Sequence, residues 1–142
     1  MNLEEILQSR PVDLIYVRAS DTVLKAMQTM CKHRVGSILV ESDDGRLLGI
    51  ATERDILRYC TANQGIIERS LIDEVMTRDL IVASPDYSLD EAMSLMTEHR
   101  FRHLPVMRGG KAIGLISIGD LVKAKLRDVS VEVKYLRDYI ST

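Results

Sequence analysis

The chain has 142 residues, 46% of them hydrophobic, and a formal net charge of −2, which suits one compact domain or two very small ones sharing a core. Without a basic excess or a basic tail it has no general attraction for polyanions, so no nucleic-acid partner is expected. No apolar run approaches the roughly 20 residues that cross a bilayer, and the start "MNLEEILQSR" lacks the basic flank and apolar stretch of a leader, so we expect no membrane partner and a cytoplasmic location.

In chain order, a short apolar strand is predicted at "LIYV", residues 14–17, and a helix follows from Val23 with Val23, Ala26, Met27 and Met30 on one face. Residues 37–52, "SILVESDDGRLLGIAT", read as a hairpin turned by Asp44-Gly45. A second helix starts near Glu53. Residues 62–77, "ANQGIIERSLIDEVMT", form a connector with a short amphipathic segment carrying Ile67, Leu71, Ile72, Val75 and Met76. The same elements then return. "LIVA" at 80–83 predicts a strand, and "SLDEAMSLMTEHR" predicts a helix with a Ser88–Glu91 capping box and Leu89, Ala92, Met93 and Met96 as its stripe. "HLPVMRGGKAIGLIS" is the second hairpin, turned by Gly109-Gly110, and another helix starts near Ile118. Both Met-rich stripes are read as core filling.

Shifting the chain by about 66 residues lays Ala26 on Ala92, Met27 on Met93, Met30 on Met96, His33 on His99 and Arg34 on Arg100, so the sequence is an internal duplication. The predicted fold class is α/β (α+β), two β-α-β-β-α units, each too small to bury both faces of its sheet alone. The expected divisions are 8–66 for the first unit, 67–127 for the second, and 128–142 for a C-terminal amphipathic helix with Val129, Val133, Leu136 and Ile140 on one face. That face suggests self-association, with Leu3, Ile6 and Leu7 adding to the same surface. Cys31 and Cys60 form no CxxC and are too few for a disulfide framework.

The duplication, with "HRVGSILV" and "DDGRLLGIATERDIL" in one half and "VMT", "HRFRHLPV" and "GLISIGDLV" in the other, resembles a tandem pair of CBS domains, named after cystathionine β-synthase, in the form of a stand-alone Bateman module. The likeness runs over residues 12–125. It implies a pseudo-twofold module, commonly a dimer, that takes adenine nucleotides or other adenosyl compounds in clefts between its halves in order to regulate something else.

The residues can be read beside that resemblance. Thr52 and Asp55, and Ser117 and Asp120, each place a hydroxyl and a carboxylate where a strand passes into a helix, beside unpaired helix N–H groups. An ionised Asp accepts hydrogen bonds from vicinal ribose hydroxyls, and this spacing resembles the family's ribose signature. The same spacing also describes a capping box that merely starts a helix. Favouring ribose, Glu or Gln is the usual residue that reaches back to the cap, whereas both copies here have the shorter Asp. A phosphate tail needs positive groups away from that carboxylate. Arg102 and His103 supply them in the second half, while the matching Gly36 and Ser37 offer only backbone N–H and a hydroxyl, so two unequal clefts are expected. A solvated basic surface is the other reading of "EHRFRH". Ile15 and Ile81 are the candidates for adenine, through aliphatic contact and main-chain hydrogen bonds, because one Phe and no Trp leave little for stacking.

No nucleophile–base signature or Walker-type loop is present, so no catalysis is expected. His99 and His103 with Cys31 or His33 are zinc-ligand types, but His99-x-x-x-His103 crosses from a helix into a strand and loses the one-face geometry of a helical pair. The sequence reading is therefore a non-enzymatic, homodimeric sensor with no obligatory cofactor. Its regulatory ligand would be AMP, ADP, ATP or S-adenosylmethionine, and its output an unidentified effector. The alternatives are a structural or partner-binding dimer with vestigial clefts, and a metal or redox stress sensor.

Overall fold

The computed structural model describes residues 1–9, 14–64 and 66–141; Val12, where the family resemblance begins, and Gly65 of the connector lie outside the described residues. The chain forms two compact units: a first of Asp13–Leu80, and a second of Met1–Val12 with Ile81–Thr142.

In the first unit, β1 (Tyr16–Arg18) runs parallel to β2 (Ser37–Glu41), which pairs antiparallel with β3 (Leu47–Thr52). The helix α2 (Val23–His33) begins at Thr22, whose hydroxyl accepts the Lys25 N–H at 3.1 Å, and ends at Arg34 in the left-handed conformation. It buries Val23, Ala26 and Met30 of the predicted stripe against Ile38, Val40 and Ala51 of the sheet, with Met27 partly buried beside them. After β3 comes α3 (Glu53–Asn63), which contributes Ile56 to that core.

The second unit repeats this plan with α4 (Leu89–His99), β4 (His103–Arg108), β5 (Lys111–Ser117) and α5 (Ile118–Ser141). Gly109 and Gly110 both have positive φ, 58° and 79°, and form the two-residue turn of the β4–β5 hairpin. Both hairpins carry an irregularity at the same place, after Val40 in one and after Val106 in the other. The second core gathers Ala83, Leu89, Ala92, Met96, Leu104, Val106, Ile116, Leu121 and Ala124.

The compact units part from the repeat boundaries in the sequence. The connector begins within the last turn of α3, and among its described residues beyond α3 the one helical element is a 3₁₀ turn, Ile72–Glu74; it packs in the first unit, where Ile72 and Met76 are in the core and Thr77 exchanges backbone hydrogen bonds with Ile50 at 2.8 and 3.1 Å. Conversely α1 (Leu3–Ser9) packs in the second unit, where Leu3 and Ile6 are buried. Those two residues therefore fill a core and add nothing to an exposed self-association surface. The C-terminal amphipathic segment expected at 128–142 is, as far as Ser141, the continuation of α5 and not a separate helix; Thr142 lies outside the described residues.

These two segments account for the glycine at the head of each repeated motif. A Cβ on Gly49 would stand 2.7 Å from the Thr77 carbonyl oxygen and 2.8 Å from the Met76 sulfur, and one on Gly114 would collide with the Leu7 side chain. Each glycine is needed for close approach of a neighbouring segment.

The predicted strand at 80–83 does not form. Ala83 alone bridges to Val106, donating to the Pro105 carbonyl at 2.9 Å and accepting from Met107 at 2.8 Å. The next bond of a parallel ladder would run from residue 105 to the Ile81 carbonyl, and proline has no N–H to give. In the first unit the equivalent Leu39 N–H does bond the Ile15 carbonyl, at 3.2 Å, and β1 forms.

Candidate functional site

Each hairpin ends beside the helix that follows it, and there the candidate residues collect. In the first unit Ser37, the first residue of β2, pairs with Thr52, the last of β3, and Asp55 lies in the first turn of α3. Ser37 is buried and Asp55 half-buried. In the second unit His103 opens β4 opposite Ser117 at the end of β5, and Asp120 lies in the first turn of α5. The loop closes identically in both, through Glu53 N–H to the Gly36 carbonyl at 3.0 Å and Ile118 N–H to the Arg102 carbonyl at 2.9 Å.

Both carboxylates cap their helices. Asp55 Oδ2 accepts the Thr52 N–H and Asp120 Oδ2 accepts the Ser117 N–H, while each hydroxyl accepts the N–H of its Asp. The expectation that Asp is too short for this reciprocal exchange is thus corrected: with the cap residue extended, as at Thr52 (φ −113°, ψ 163°), the third-position Asp reaches it. At Ser88 only one arm appears, the hydroxyl accepting the Glu91 N–H at 3.0 Å, and the Ser88 backbone bridges to Asn2. The cap uses one carboxylate oxygen. Asp55 Oδ1 accepts no hydrogen bond among the described residues, so capping and sugar binding are compatible.

The two sets differ in charge. In the second unit Arg102 is exposed and His103 half-buried; burial pushes the His103 imidazole below its usual pKa, with Asp120 pulling it up and Arg102 pressing it down. In the first unit Gly36 takes the place of Arg102, and the Glu53 carboxylate lies over it, 3.5–3.7 Å from where a side chain would begin. Sequence reasoning missed Glu53, although setting the motifs side by side shows an acid there against Ile118 in the other copy.

The adenine candidates differ as well. Ile15 and Ile81 are both half-buried against their cores. The Ile15 carbonyl is engaged by Leu39, whereas the Ile81 carbonyl, opposite Pro105, accepts no hydrogen bond among the described residues. Pro105 was a second residue whose role the sequence reading missed.

Among the described residues no group of three or more His, Cys, Asp or Glu side chains is placed to hold a metal ion. Cys31 is exposed and Cys60 half-buried, both as thiols. No helix among the described residues is long and apolar enough to cross a membrane.

The CBS domain family profile matches the chain twice, at residues 3–62 and 72–127. The chain belongs to the CBS-domain family. As a tandem CBS pair it is 35% identical over 130 residues to the mitochondrial CBS domain-containing protein CBSX3 of Arabidopsis thaliana, a match covering 89% of this chain and 63% of that protein. It therefore spans less than two thirds of that relative's length. It is 34% identical to the CBS domain-containing protein YhcV of Bacillus subtilis, with 80% of each chain covered. A crystal structure of a CBS-domain containing protein from Agrobacterium tumefaciens superimposes with a TM-score of 0.82 at 31% identity, over 88% of this chain and 99% of the other. CBSX2, crystallised in complex with AMP, superimposes with a TM-score of 0.72 at 26% identity, over 89% and 96%.

Proposed function

We propose that this CBS pair is a non-enzymatic regulatory module that binds an adenosine-containing ligand, one of AMP, ADP, ATP or S-adenosylmethionine. The observation that carries the reading is the second unit's set: Asp120 for the ribose, His103 and Arg102 for phosphate, and the Ile81 carbonyl as an acceptor for the adenine amino group. All three kinds of contact that an adenine nucleotide requires come from one unit. The AMP complex of the related CBSX2 supports the same ligand class.

The first unit is the weaker site for a phosphorylated ligand. The Glu53 carboxylate lies over Gly36 and that of Asp55 caps Thr52, the strand partner of Ser37; Gly36 stands where the second unit has Arg102, and the Ile15 carbonyl is engaged. A bound nucleotide acts by population shift: it favours whichever state of the module holds it more tightly, and an effector protein reads that state. The module is proposed to be a homodimer. A cytoplasmic location belongs to the same proposal and is tested by fractionation.

Isothermal titration with AMP, ADP, ATP and S-adenosylmethionine tests the reading. Heat and a raised melting temperature with a nucleotide support it. No heat with any of the four, and unchanged melting, would transfer the chain to the structural, partner-binding class.

A further inference from the structure

The long last helix carries more apolar surface than the second unit covers. Leu121 and Ala124 are its only buried residues, and from Leu126 to its end every described residue except Asp128 is exposed. Along it Val122, Leu126, Val129, Val133, Leu136 and Ile140 recur at steps of four, three, four, three and four, and each is between 40% and 80% exposed. The alternation of four and three closes every seven residues, two positions per seven, and a repeat of that period drifts slowly around a straight helix and stays on a partner only if two helices wind together left-handed.

We propose that α5 pairs with α5 of a second copy of this chain as a short parallel two-stranded coiled coil. In heptad terms Leu126, Val133 and Ile140 take position a, and Val122, Val129 and Leu136 take position d. β-Branched Val133 and Ile140 at a, around Leu136 at d, are the choice that favours two strands. The flanking charges select the partner and its direction. Glu132 falls at g and Arg137 at e five residues later, so a parallel pair sets Glu132 of each copy against Arg137 of the other, twice by symmetry. Antiparallel pairing centred on the Val129 and Val133 layers would set the two Glu132 side chains together instead. A free helix of this length is marginal in water, but α5 is already anchored at Leu121, Ala124 and the Lys125–Asp90 ion pair at 3.0 Å. Most of the seam lies beyond the CBS domains themselves, the second of which ends at residue 127.

Sedimentation of the full chain tests this with charge variants at exposed positions. Glu132→Arg and Arg137→Glu should each weaken the dimer, on the order of tenfold, and an equimolar mixture of the two should restore wild-type association as a heterodimer. Leu136→Cys in a Cys31→Ser, Cys60→Ser background should form an intermolecular disulfide under mild oxidation, since parallel strands place the two d positions face to face. A monomeric wild type overturns the proposal. So does a dimer indifferent to both charge variants, or one in which the Leu136→Cys chains fail to cross-link.

Discussion

Asp55 Oδ2 accepts the Thr52 N–H at 3.0 Å while Thr52 Oγ1 accepts the Asp55 N–H at 3.1 Å, and Asp120 and Ser117 repeat the exchange at 2.9 and 3.1 Å. Asp55 thus serves the fold with one oxygen and has Oδ1 to offer a ligand, and at either carboxylate the capping role and the proposed binding role separate by mutation. Asp120→Asn keeps an acceptor for the Ser117 N–H and removes the charge. It should change stability by less than about 0.5 kcal/mol while weakening nucleotide binding roughly tenfold or more. Asp120→Ala loses the cap as well, at about 1 kcal/mol. Thermal melts beside calorimetric titrations decide it: if the Asn variant binds normally, capping was the whole role of Asp120.

The Glu53 carboxylate over Gly36 should disfavour phosphate in the first unit. Glu53→Gln removes one negative charge beside Gly36 at an exposed position, so folding should be unaffected. ATP should then bind to this unit as well, the titration stoichiometry rising from near one towards two per chain. Unchanged stoichiometry and affinity would dismiss Glu53 as a selector.

His103 should make stability, and on the proposed reading nucleotide binding, depend on pH. Its imidazole titrates below its ordinary value of 6.5 because it is buried, so the folded unit binds fewer protons than the unfolded chain just below that value. The stability associated with neutral His103 is present above pH 6.5 and is lost as pH falls through the folded pKa. A phosphate placed against the ring reverses the bias, so nucleotide binding should take up a proton as pH falls below the ordinary imidazole value and should tighten on acidification. Titrations in two buffers of different ionisation enthalpy measure the uptake, and His103→Gln should abolish it. Proton uptake equal in wild type and variant would place the phosphate elsewhere.

Gly114→Ala drives a methyl group into Leu7 and should cost about 1–3 kcal/mol. Adding Leu7→Ala should recover part of that, because the obstacle is the end of a side chain. Gly49→Ala meets the Thr77 backbone carbonyl, and trimming Met76 should recover little. Denaturant melts of the four proteins show whether the recovery is confined to the Gly114 pair.

Pro105→Leu supplies the missing donor for the Ile81 carbonyl. The second unit should then gain the ladder bond that Leu39 makes to Ile15, and AMP affinity should fall several-fold with the loss of the adenine acceptor. Equal affinity would mean that adenine is held without Ile81.

The repeat, both hairpins and the helices from Val23, Glu53, Leu89 and Ile118 were legible from the sequence because they rest on local signals: apolar spacing, turn glycines and capping hydroxyls. The pairings of Ser37 with Thr52 and of His103 with Ser117 were not read from the sequence, because each hairpin carries an irregularity, after Val40 and after Val106, that shifts the register its turn alone would set. Asp55 and Asp120 were found but half-explained, because the reach of a side chain to a backbone N–H depends on the dihedral angles of the cap.

What the sequence determined alone, then, is the duplicated plan and the positions of the candidate residues, each set by interactions a few residues long. Tertiary structure decided the remainder. That α1 buries Leu3 and Ile6 in the second unit, that Met76 and Thr77 close over Gly49, and that Pro105 lies where a ladder needs an N–H are pairings across tens of residues. Such pairings depend on which apolar faces can fill the same space, and neighbouring residues in the chain carry no record of that.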